Sequence, residues 1–107
     1  MKIFTYGTLM KNGGRNDIIQ KACGIFLDEV ETLEKYYMGE QSCYPFLLET
    51  SVQAKETIFG ELYEVPDDFV EIIDDYEGVP SLFYKSKIKV RNDIGRVHLA
   101  YCYFLKD

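Results

Sequence analysis

Three acidic residues, Asp74, Asp75 and Glu77, lie together at the end of a segment that is predicted to be helical. The helix macrodipole is negative at this end, so an exposed acid there is disfavoured by roughly 0.3–1 kcal/mol. Asp74 and Asp75 are interpreted as solvated residues of an acidic protein. Glu77 differs because it lies between Tyr76 and a Gly78-Val79-Pro80 turn. A carboxylate held against an aromatic wall and near other acids has a raised pKa, which suits a general base or acid.

A second segment, Tyr6-Gly7-Thr8-Leu9, follows a short apolar strand near the start of the sequence. A strand that ends in glycine and continues into a small polar loop can direct successive backbone N–H groups at an anion. Many strands end in Gly-Thr, so this pattern alone does not define a site. Thr8 could donate its hydroxyl into a cavity or only satisfy its own loop, and both interpretations stay open.

The overall charge and length exclude several classes of protein. The chain has 107 residues, with 12 Lys and Arg against 18 Asp and Glu, and 47% of its residues are hydrophobic. These values predict one folded domain over residues 1–107 and argue against intrinsic disorder. The net charge of −6 argues against a nucleic-acid partner, which would need a cationic surface. No apolar stretch approaches the roughly 20 residues of a membrane span. We therefore expect a cytoplasmic protein without a membrane partner.

The soft metal ligands are few. One histidine and three cysteines do not suffice for a structural zinc site, so none is expected. Cys23, Cys43 and Cys102 are odd in number and form no CxxC pair, which predicts reduced, buried thiols. A catalytic cysteine would have to use His98 as its partner, and we favour an ordinary surface position for that histidine.

The hydrophobic pattern predicts the elements that position these residues. Strands are expected over residues 3–6, 24–27 with a continuation over 30–33, 45–48 and 58–65. Asn16 or Asp17 could cap a short helix, and Gly60 indicates a bulge or a close backbone approach. The main helix is predicted from an apolar stripe at i, i+3, i+4 and i+7. This stripe consists of Phe69, Ile72, Ile73 and Tyr76.

The C-terminal third is predicted to be a hairpin with its turn at residues 92–95. On the first strand, Tyr84, Ser86, Ile88 and Val90 alternate with Lys85, Lys87, Lys89 and Arg91. On the return strand, Val97, Leu99, Tyr101, Tyr103 and Leu105 share one face. The basic row could be a phosphate-binding stripe, but a solvated strand face is the simpler interpretation. Strands with one main helix predict an α+β fold with a barrel-like sheet.

Together these segments resemble the gamma-glutamylcyclotransferase-like family, also called the AIG2-like family. The resemblance rests on residues 4–9, Gly24, Pro45, residues 60–65, the acidic turn at 74–78, Tyr84 and Tyr103. It spans nearly the whole chain in order. It implies a small mixed α/β barrel with one main helix and a cavity at one end. In that fold the Tyr-Gly-Thr-Leu loop faces the acidic turn across the cavity.

The resemblance also implies an activity and a set of roles. The family cyclises a γ-glutamyl amide, amine or dipeptide to 5-oxoproline and releases the free amine. Glu77 would be the catalytic carboxylate, and the expected partner is a small molecule with a γ-glutamyl group. The substrate-binding residues would be Tyr6, Gly7, Thr8, Leu9, Tyr84 and Tyr103. No metal, cofactor or covalent intermediate is implied, and the oligomeric state stays open.

This chemistry suits a single carboxylate. The α-amine of a γ-glutamyl amide can attack its own γ-carbonyl, so the nucleophile is already tethered and the enzyme mainly has to orient it. One carboxylate can take a proton from the ammonium group and pass it to the departing nitrogen. The family commonly has an arginine two residues after the tyrosine matched to Tyr84, and Ser86 stands there in this chain.

A non-catalytic module is the alternative from another functional class. The same cavity could bind a small acidic, amino-acid-like ligand without turning it over. The two hypotheses differ in where Glu77 lies: inside a cavity that faces the loop, or exposed at the end of the helix. Residues 39–51 match the family only at Pro45, so the sequence does not indicate the wall that selects the leaving amine.

Overall fold

Five strands of the computed structural model, which describes residues 1–42 and 44–106, close into a barrel. They are β1 (Lys2–Thr5), β2 (Ile25–Thr32), β5 (Phe59–Glu64), β6 (Phe83–Arg91) and β7 (Val97–Leu105). The order around the barrel is β1-β5-β2-β6-β7, and a parallel pairing of Ile3 with Tyr101 closes it. All other neighbouring strands are antiparallel.

A separate ribbon and two helices complete the fold. Strands β3 (Tyr37–Gln41) and β4 (Tyr44–Leu48) form the two-stranded ribbon. Helix α1 spans Asn16–Lys21, and helix α2 spans Val70–Glu77 after one turn of 3-10 helix at Asp67–Phe69. No helix in the described residues is long and apolar enough to cross a bilayer. The predicted α+β architecture with a barrel-like sheet and one main helix is confirmed.

The two faces of the barrel wall serve two hydrophobic cores. Phe4, Leu62 and Phe104 belong to the cluster inside the barrel, while Ile3 and Tyr103 belong to a cluster that α1 and α2 cover from outside. Because side chains alternate along a strand, neighbouring residues of β1 and of β7 enter different cores. The odd-numbered residues of β7 do share a face, but it is the outer face. The barrel interior takes Ala100, Cys102 and Phe104 instead.

Gly60 lies where β5 passes close to β1. A Cβ atom at this position would lie 2.1 Å from the carbonyl oxygen of Thr5 and 2.6 Å from the ring of Phe4. The close backbone approach that the sequence indicated is therefore confirmed. The absence of a side chain at Gly60 lets the ring of Phe4 fill the barrel interior beside it.

The prediction that Phe69 belongs to the apolar stripe of the main helix was wrong. Phe69 is 42% exposed because it lies in the 3-10 turn, and the helix itself buries Val70 and Ile73. A 3-10 turn has about 3.0 residues per turn, against 3.6 in an α-helix, so Phe69 is rotated off the stripe. Ile72 and Tyr76 are partly buried and pack on the outer core.

The predicted cap of the first helix was also wrong. Helix α1 follows Arg15 and has no side-chain cap hydrogen bond. The side chain of Asn16 instead donates to the carbonyl oxygen of Leu9, at 2.8 Å. Asp17 forms ion pairs with Arg15 and Lys21.

Two strands and one thiol also differ from expectation. Strand β2 runs without interruption through the polar residues between its two predicted halves, with an irregular register between Phe26 and Asp28. Strand β3 was not predicted, because it carries no clear alternation. Cys23 is exposed rather than buried, whereas Cys102 is buried as expected. The prediction for Cys43 lies outside the described residues.

Thr32 is a polar anchor at the end of β2 and is fully buried. Its hydroxyl donates to the carbonyl oxygen of Glu34 at 2.7 Å and accepts from the N–H of Ile58 at 2.9 Å. Replacement Thr32→Val keeps the shape but leaves both backbone groups without this partner. We expect the free energy of unfolding to fall by about 1–3 kcal/mol, measured by urea denaturation.

Thr50 is exposed and provides the matched control. The variant Thr50→Val should change the free energy of unfolding by less than about 0.5 kcal/mol. Equal effects of the two substitutions would contradict the anchoring role of Thr32.

Candidate active site

A cavity of about 350 Å³ lies where the loop after β1, the end of α2 and the β3–β4 ribbon meet. Tyr6, Gly7, Thr8 and Leu9 line it from the loop, and Tyr76 and Glu77 line it from the helix. Tyr103 of β7 also contributes to the wall. The structure thus brings together six of the seven residues that the sequence nominated for a site. The seventh, Tyr84, does not line this cavity.

Glu77 is the last residue of α2, and the way the helix ends sets its position. Gly78 follows in the left-handed conformation, with φ 72° and ψ 40°. The N–H of Gly78 donates to the backbone carbonyl oxygen of Asp75 at 3.2 Å, and the N–H of Val79 donates to that of Asp74 at 3.0 Å. These are the two hydrogen bonds of a Schellman motif, which reverses the chain at a glycine. The helix therefore stops with Glu77 at the cavity.

The carboxylate of Glu77 is partly buried and carries no compensating charge. Within residues 1–42 and 44–106, no side chain forms a hydrogen bond or an ion pair with it. Burial raises its pKa from the ordinary value of 4.5 to about 7. Desolvation penalises the charged form and is the cause of the shift. A group with this pKa is divided between acid and base near neutral pH, as proton transfer in both directions requires.

A buried acid, Glu61, fixes the loop that follows β1. Glu61 is 6% exposed, and its Oε1 accepts from the N–H of Lys11 at 2.8 Å and from the hydroxyl of Tyr63 at 2.9 Å. Asn16 adds its bond to the carbonyl of Leu9. The N–H of Arg15 donates to the carbonyl of Thr8 at 2.9 Å. The loop is therefore fixed on the side away from the cavity.

Backbone donors of the loop remain free. In the described part of the chain, the N–H groups of Gly7, Thr8 and Leu9 donate to no other protein group. Consecutive N–H groups of this kind can bind an anion such as a carboxylate. The hydroxyl of Thr8 is 2.8 Å from the hydroxyl of Tyr76, so it links the loop to α2.

Two tyrosines form a second link across the site. The hydroxyl of Tyr6 donates to the carbonyl oxygen of Tyr103 at 2.7 Å, and it accepts from the N–H of Leu47 at 3.3 Å. Burial raises the pKa of both tyrosines well above the ordinary value, so both hydroxyls stay protonated. The hydroxyl of Tyr103 donates to Asp74 at 2.6 Å. The strands β1 and β7 and the helix α2 are thus joined beside Glu77.

Asp74 is not the solvated acid that the sequence suggested. Besides the hydroxyl of Tyr103, it binds the ammonium group of Lys85 at 2.9 Å, and both side chains of this ion pair are about one fifth exposed. Lys85 lies on the outer face of β6, where α2 packs, so it meets the acid. The other members of the basic row, Lys87, Lys89 and Arg91, are exposed, as expected for a solvated face.

Tyr84 lies inside the barrel, away from the cavity lining. Its ring is 6.1 Å from that of Phe104, and its hydroxyl donates to Glu49 at 2.8 Å. Ser86 donates to the other oxygen of the same carboxylate at 2.6 Å. Two hydroxyls therefore hold the carboxylate of Glu49. One of them belongs to Ser86, which stands where the resemblance places an arginine. We do not include Tyr84 in the proposed site.

Sequence reasoning missed three parts of the site. Glu61 was a visible signal, because it is an acid inside an apolar strand. Asp74 was noticed in the acidic cluster but interpreted as solvated, since the pattern does not indicate its partners Tyr103 and Lys85. The ribbon contributes Tyr44, Pro45 and Phe46 to the wall; only Pro45 was singled out.

The described residues show neither a metal site nor a cysteine–histidine pair. In the part of the chain that the structure describes, no three His, Cys, Asp or Glu side chains are arranged to hold a metal ion. No contact joins His98 to Cys23 or Cys102. His98 instead shares a hydrogen bond of 3.0 Å with Lys2. Burial raises the pKa of the Cys102 thiol well above its ordinary value, which disfavours a nucleophilic thiolate.

The raised pKa of Glu77 should make the free energy of unfolding depend on pH. Because the folded pKa of about 7 exceeds the ordinary 4.5, the folded state holds the proton more tightly and stability is lost as pH rises through this window. Glu77→Gln cannot ionise and escapes this loss. The free energy of unfolding of the variant, minus that of the parent protein, should therefore increase by on the order of 2–3 kcal/mol as the pH rises from about 4 to 8. Urea denaturation at both pH values measures the gain.

Glu71 is exposed on the same helix and supplies the matched control. Glu71→Gln should show a difference below about 0.5 kcal/mol at either pH. A Glu77→Gln profile that runs parallel to the parent profile would show that Glu77 has an ordinary pKa.

Comparisons with known proteins identify the family of this chain and its fold. The profile of the family "Gamma-glutamyl cyclotransferase, AIG2-like" matches residues 3–107. A Methanocaldococcus jannaschii protein, itself provisionally assigned as a gamma-glutamylcyclotransferase, is 30% identical over 98% of this chain and 84% of its own length. The gamma-glutamylaminecyclotransferase of Rattus norvegicus is 30% identical over 83% of this chain, which spans 62% of the rat protein.

A solved structure shows the same fold. The crystal structure of an AIG2-like protein from Mus musculus superimposes with a TM-score of 0.84 at 22% identity. The match covers 96% of this chain and 75% of the mouse chain. With the family profile spanning almost the whole sequence, this chain belongs to the gamma-glutamyl cyclotransferase, AIG2-like family.

Proposed function

We propose that this protein cyclises a γ-glutamyl amide, amine or dipeptide to 5-oxoproline and releases the free amine, with Glu77 as general base and acid. One observation carries the proposal: Glu77 lines the same cavity as Gly7, Thr8 and Leu9, whose N–H groups donate to no other described residue. An acid–base group and an anion site on one cavity match the two polar ends of a γ-glutamyl group. The names of the archaeal and rat relatives support the same activity.

The loop is proposed to bind the α-carboxylate of the substrate. Among the described residues, the N–H groups of Gly7, Thr8 and Leu9 have no acceptor, so they can donate to a carboxylate without losing a hydrogen bond to any of these residues. This contact fixes the α-carbon and with it the attached amine. The amine and the γ-carbonyl belong to one flexible chain, and holding one end limits the search to bent conformations. Orientation of this kind can supply a large part of the rate.

Glu77 is proposed to move the protons. As a carboxylate, it takes a proton from the α-ammonium, whose nitrogen then attacks the γ-carbonyl carbon and closes the five-membered ring. The bond from that carbon to the leaving nitrogen breaks as the protonated Glu77 gives its proton to the leaving nitrogen. Two protons leave the α-nitrogen in all and two reach the departing amine, so no water is consumed and Glu77 returns to its starting state.

The tyrosines are proposed to shape the cavity rather than to transfer protons. The hydroxyl of Tyr103 is committed to Asp74, and that of Tyr6 is committed to the carbonyl of Tyr103. Their rings therefore supply the fixed surface against which the bent substrate packs. Lys85 holds the other oxygen of Asp74 and completes this support.

The proposed activity is tested with a substrate panel. γ-Glutamyl-alanine, γ-glutamyl-ε-lysine and a γ-glutamyl polyamine are incubated with the protein, and 5-oxoproline is measured. At least one should be cyclised, and Glu77→Gln should lower its kcat by about 10²–10⁴-fold, since it removes the acid–base group.

The exposed Glu71→Gln again serves as the control and should keep the parent rate. Absence of 5-oxoproline from every substrate, with folded protein, would refute the proposed activity. Full activity of Glu77→Gln would instead remove Glu77 from the mechanism.

The pH profile tests the protonation state of Glu77. The base must be ionised to accept the first proton, and its pKa is about 7. We therefore expect kcat/KM to fall about tenfold per unit as pH decreases below this value. Initial rates at substrate concentrations well below KM measure it. A flat profile down to about pH 5 would indicate that another group is the base.

A further inference from the structure

The cavity wall away from the loop and the helix is apolar. Tyr44, Pro45 and Phe46 come from the ribbon, and Leu82, Phe83 and Leu105 come from the hairpin and the segment before it. The remaining ribbon residues of the wall that the structure describes, Gln41 and Ser42, are uncharged. If the loop and Glu77 hold the glutamyl group, this wall faces the group on the other side of the scissile bond.

The described lining contains one charged side chain. Among the described residues of the wall, Glu77 is the only Asp, Glu, Lys, Arg or His. A leaving group with its own carboxylate would therefore add a further negative charge to those of Glu77 and of the substrate's α-carboxylate. A buried charge without a cationic partner is strongly disfavoured, and a neighbouring like charge adds to the penalty.

The cations near the cavity have other partners, and Lys106, which follows the lining residue Leu105, donates its ammonium group to the carbonyl oxygen of Pro80 at 3.3 Å. Arg15 lies beside the wall, with its guanidinium 5.3 Å from the centroid of the Tyr76 ring, but its Nε binds Asp17 at 3.1 Å. Lys85 is paired with Asp74, as described above. The ammonium of Lys11 lies 3.4 Å from the centre of the Phe26 ring, which does not line the cavity.

We propose that the leaving group is an apolar amine without a carboxylate, of the arylalkylamine class, which packs against the Tyr44, Phe46 and Phe83 wall. This inference rests on the proposed function. The cavity volume of about 350 Å³ is near the lower end of the roughly 300–1,000 Å³ of small-molecule sites, which suits a glutamyl group with one compact substituent. After cleavage the amine becomes a cation, and Glu77 and the aromatic faces can stabilise it until release.

A pair of substrates that differ only in one carboxylate tests the inference. γ-Glutamyl-phenethylamide and γ-glutamyl-phenylalanine present the same ring, but only the dipeptide carries a carboxylate on its leaving group. We expect kcat/KM to be at least tenfold higher for the phenethylamide. Equal values, or a preference for the dipeptide, would overturn the inference while supporting the cyclotransferase activity.

Binding separates this inference from the activity itself. Calorimetry with Glu77→Asn, which removes the acid–base group, should also show tighter binding of the phenethylamide than of the dipeptide. If neither the three γ-glutamyl substrates tested above nor the two aromatic ones yield 5-oxoproline, the proposed function fails. The difference in affinity then still shows whether the apolar wall disfavours a carboxylate. Equal or reversed affinities overturn the inference in that case as well.

An engineered cation provides the second arm. Leu82 lines the cavity and is 54% exposed, so a longer polar side chain can be tolerated there. Leu82→Lys should raise kcat/KM for the dipeptide relative to the phenethylamide by at least fivefold, whereas the uncharged control Leu82→Gln should not. No change in Leu82→Lys would count against the charge argument. A selective loss of dipeptide turnover in Arg15→Gln would overturn it, because Arg15 would then be the carboxylate site.

Discussion

The partial burial of one carboxylate, Glu77, is the constraint on which the site depends. Withdrawal from water raises its pKa from 4.5 to about 7, and no described residue offers a countercharge. Such a group is unfavourable for the folded state at neutral pH, because its ionised form loses hydration. The surrounding structure must hold it there. The Schellman turn at Gly78 and the packing of α2 on the barrel supply that restraint.

Hydroxyl groups connect the restrained elements without adding charge to the cavity. The Thr8–Tyr76 contact joins the loop to the helix, and the Tyr103–Asp74 bond joins the helix to the barrel. Lys85 forms an ion pair with Asp74 on the outer face of the barrel. The carboxylate of Glu77 is therefore the one charge in the described lining of the cavity, and hydrogen bonds from hydroxyl groups join the elements that hold it.

Much of the fold was predictable where local pattern and tertiary environment agree. The alternation over β6, its turn and β7 predicted the hairpin, and Gly60 marked a close approach. Prediction failed where local geometry departs from the average, as at Phe69, which a 3-10 turn exposes. It also failed where one side chain serves a distant partner. Asn16 resembles a helix cap but binds Leu9, because the loop carbonyl is buried beside it.

The sequence by itself determined which chemistry is available: one acid placed beyond an apolar helix stripe, a glycine-containing loop after a strand, and too few metal ligands for a zinc site. These properties depend on residue types and short spacings, which the chain carries in any conformation. Only the tertiary structure decided that Glu77 and the loop share a cavity, that Asp74 pairs with Tyr103 and Lys85, and that Tyr84 turns into the barrel. Those outcomes depend on barrel closure, which pairs Ile3 with Tyr101 from opposite ends of the chain and sets which face of each strand is buried.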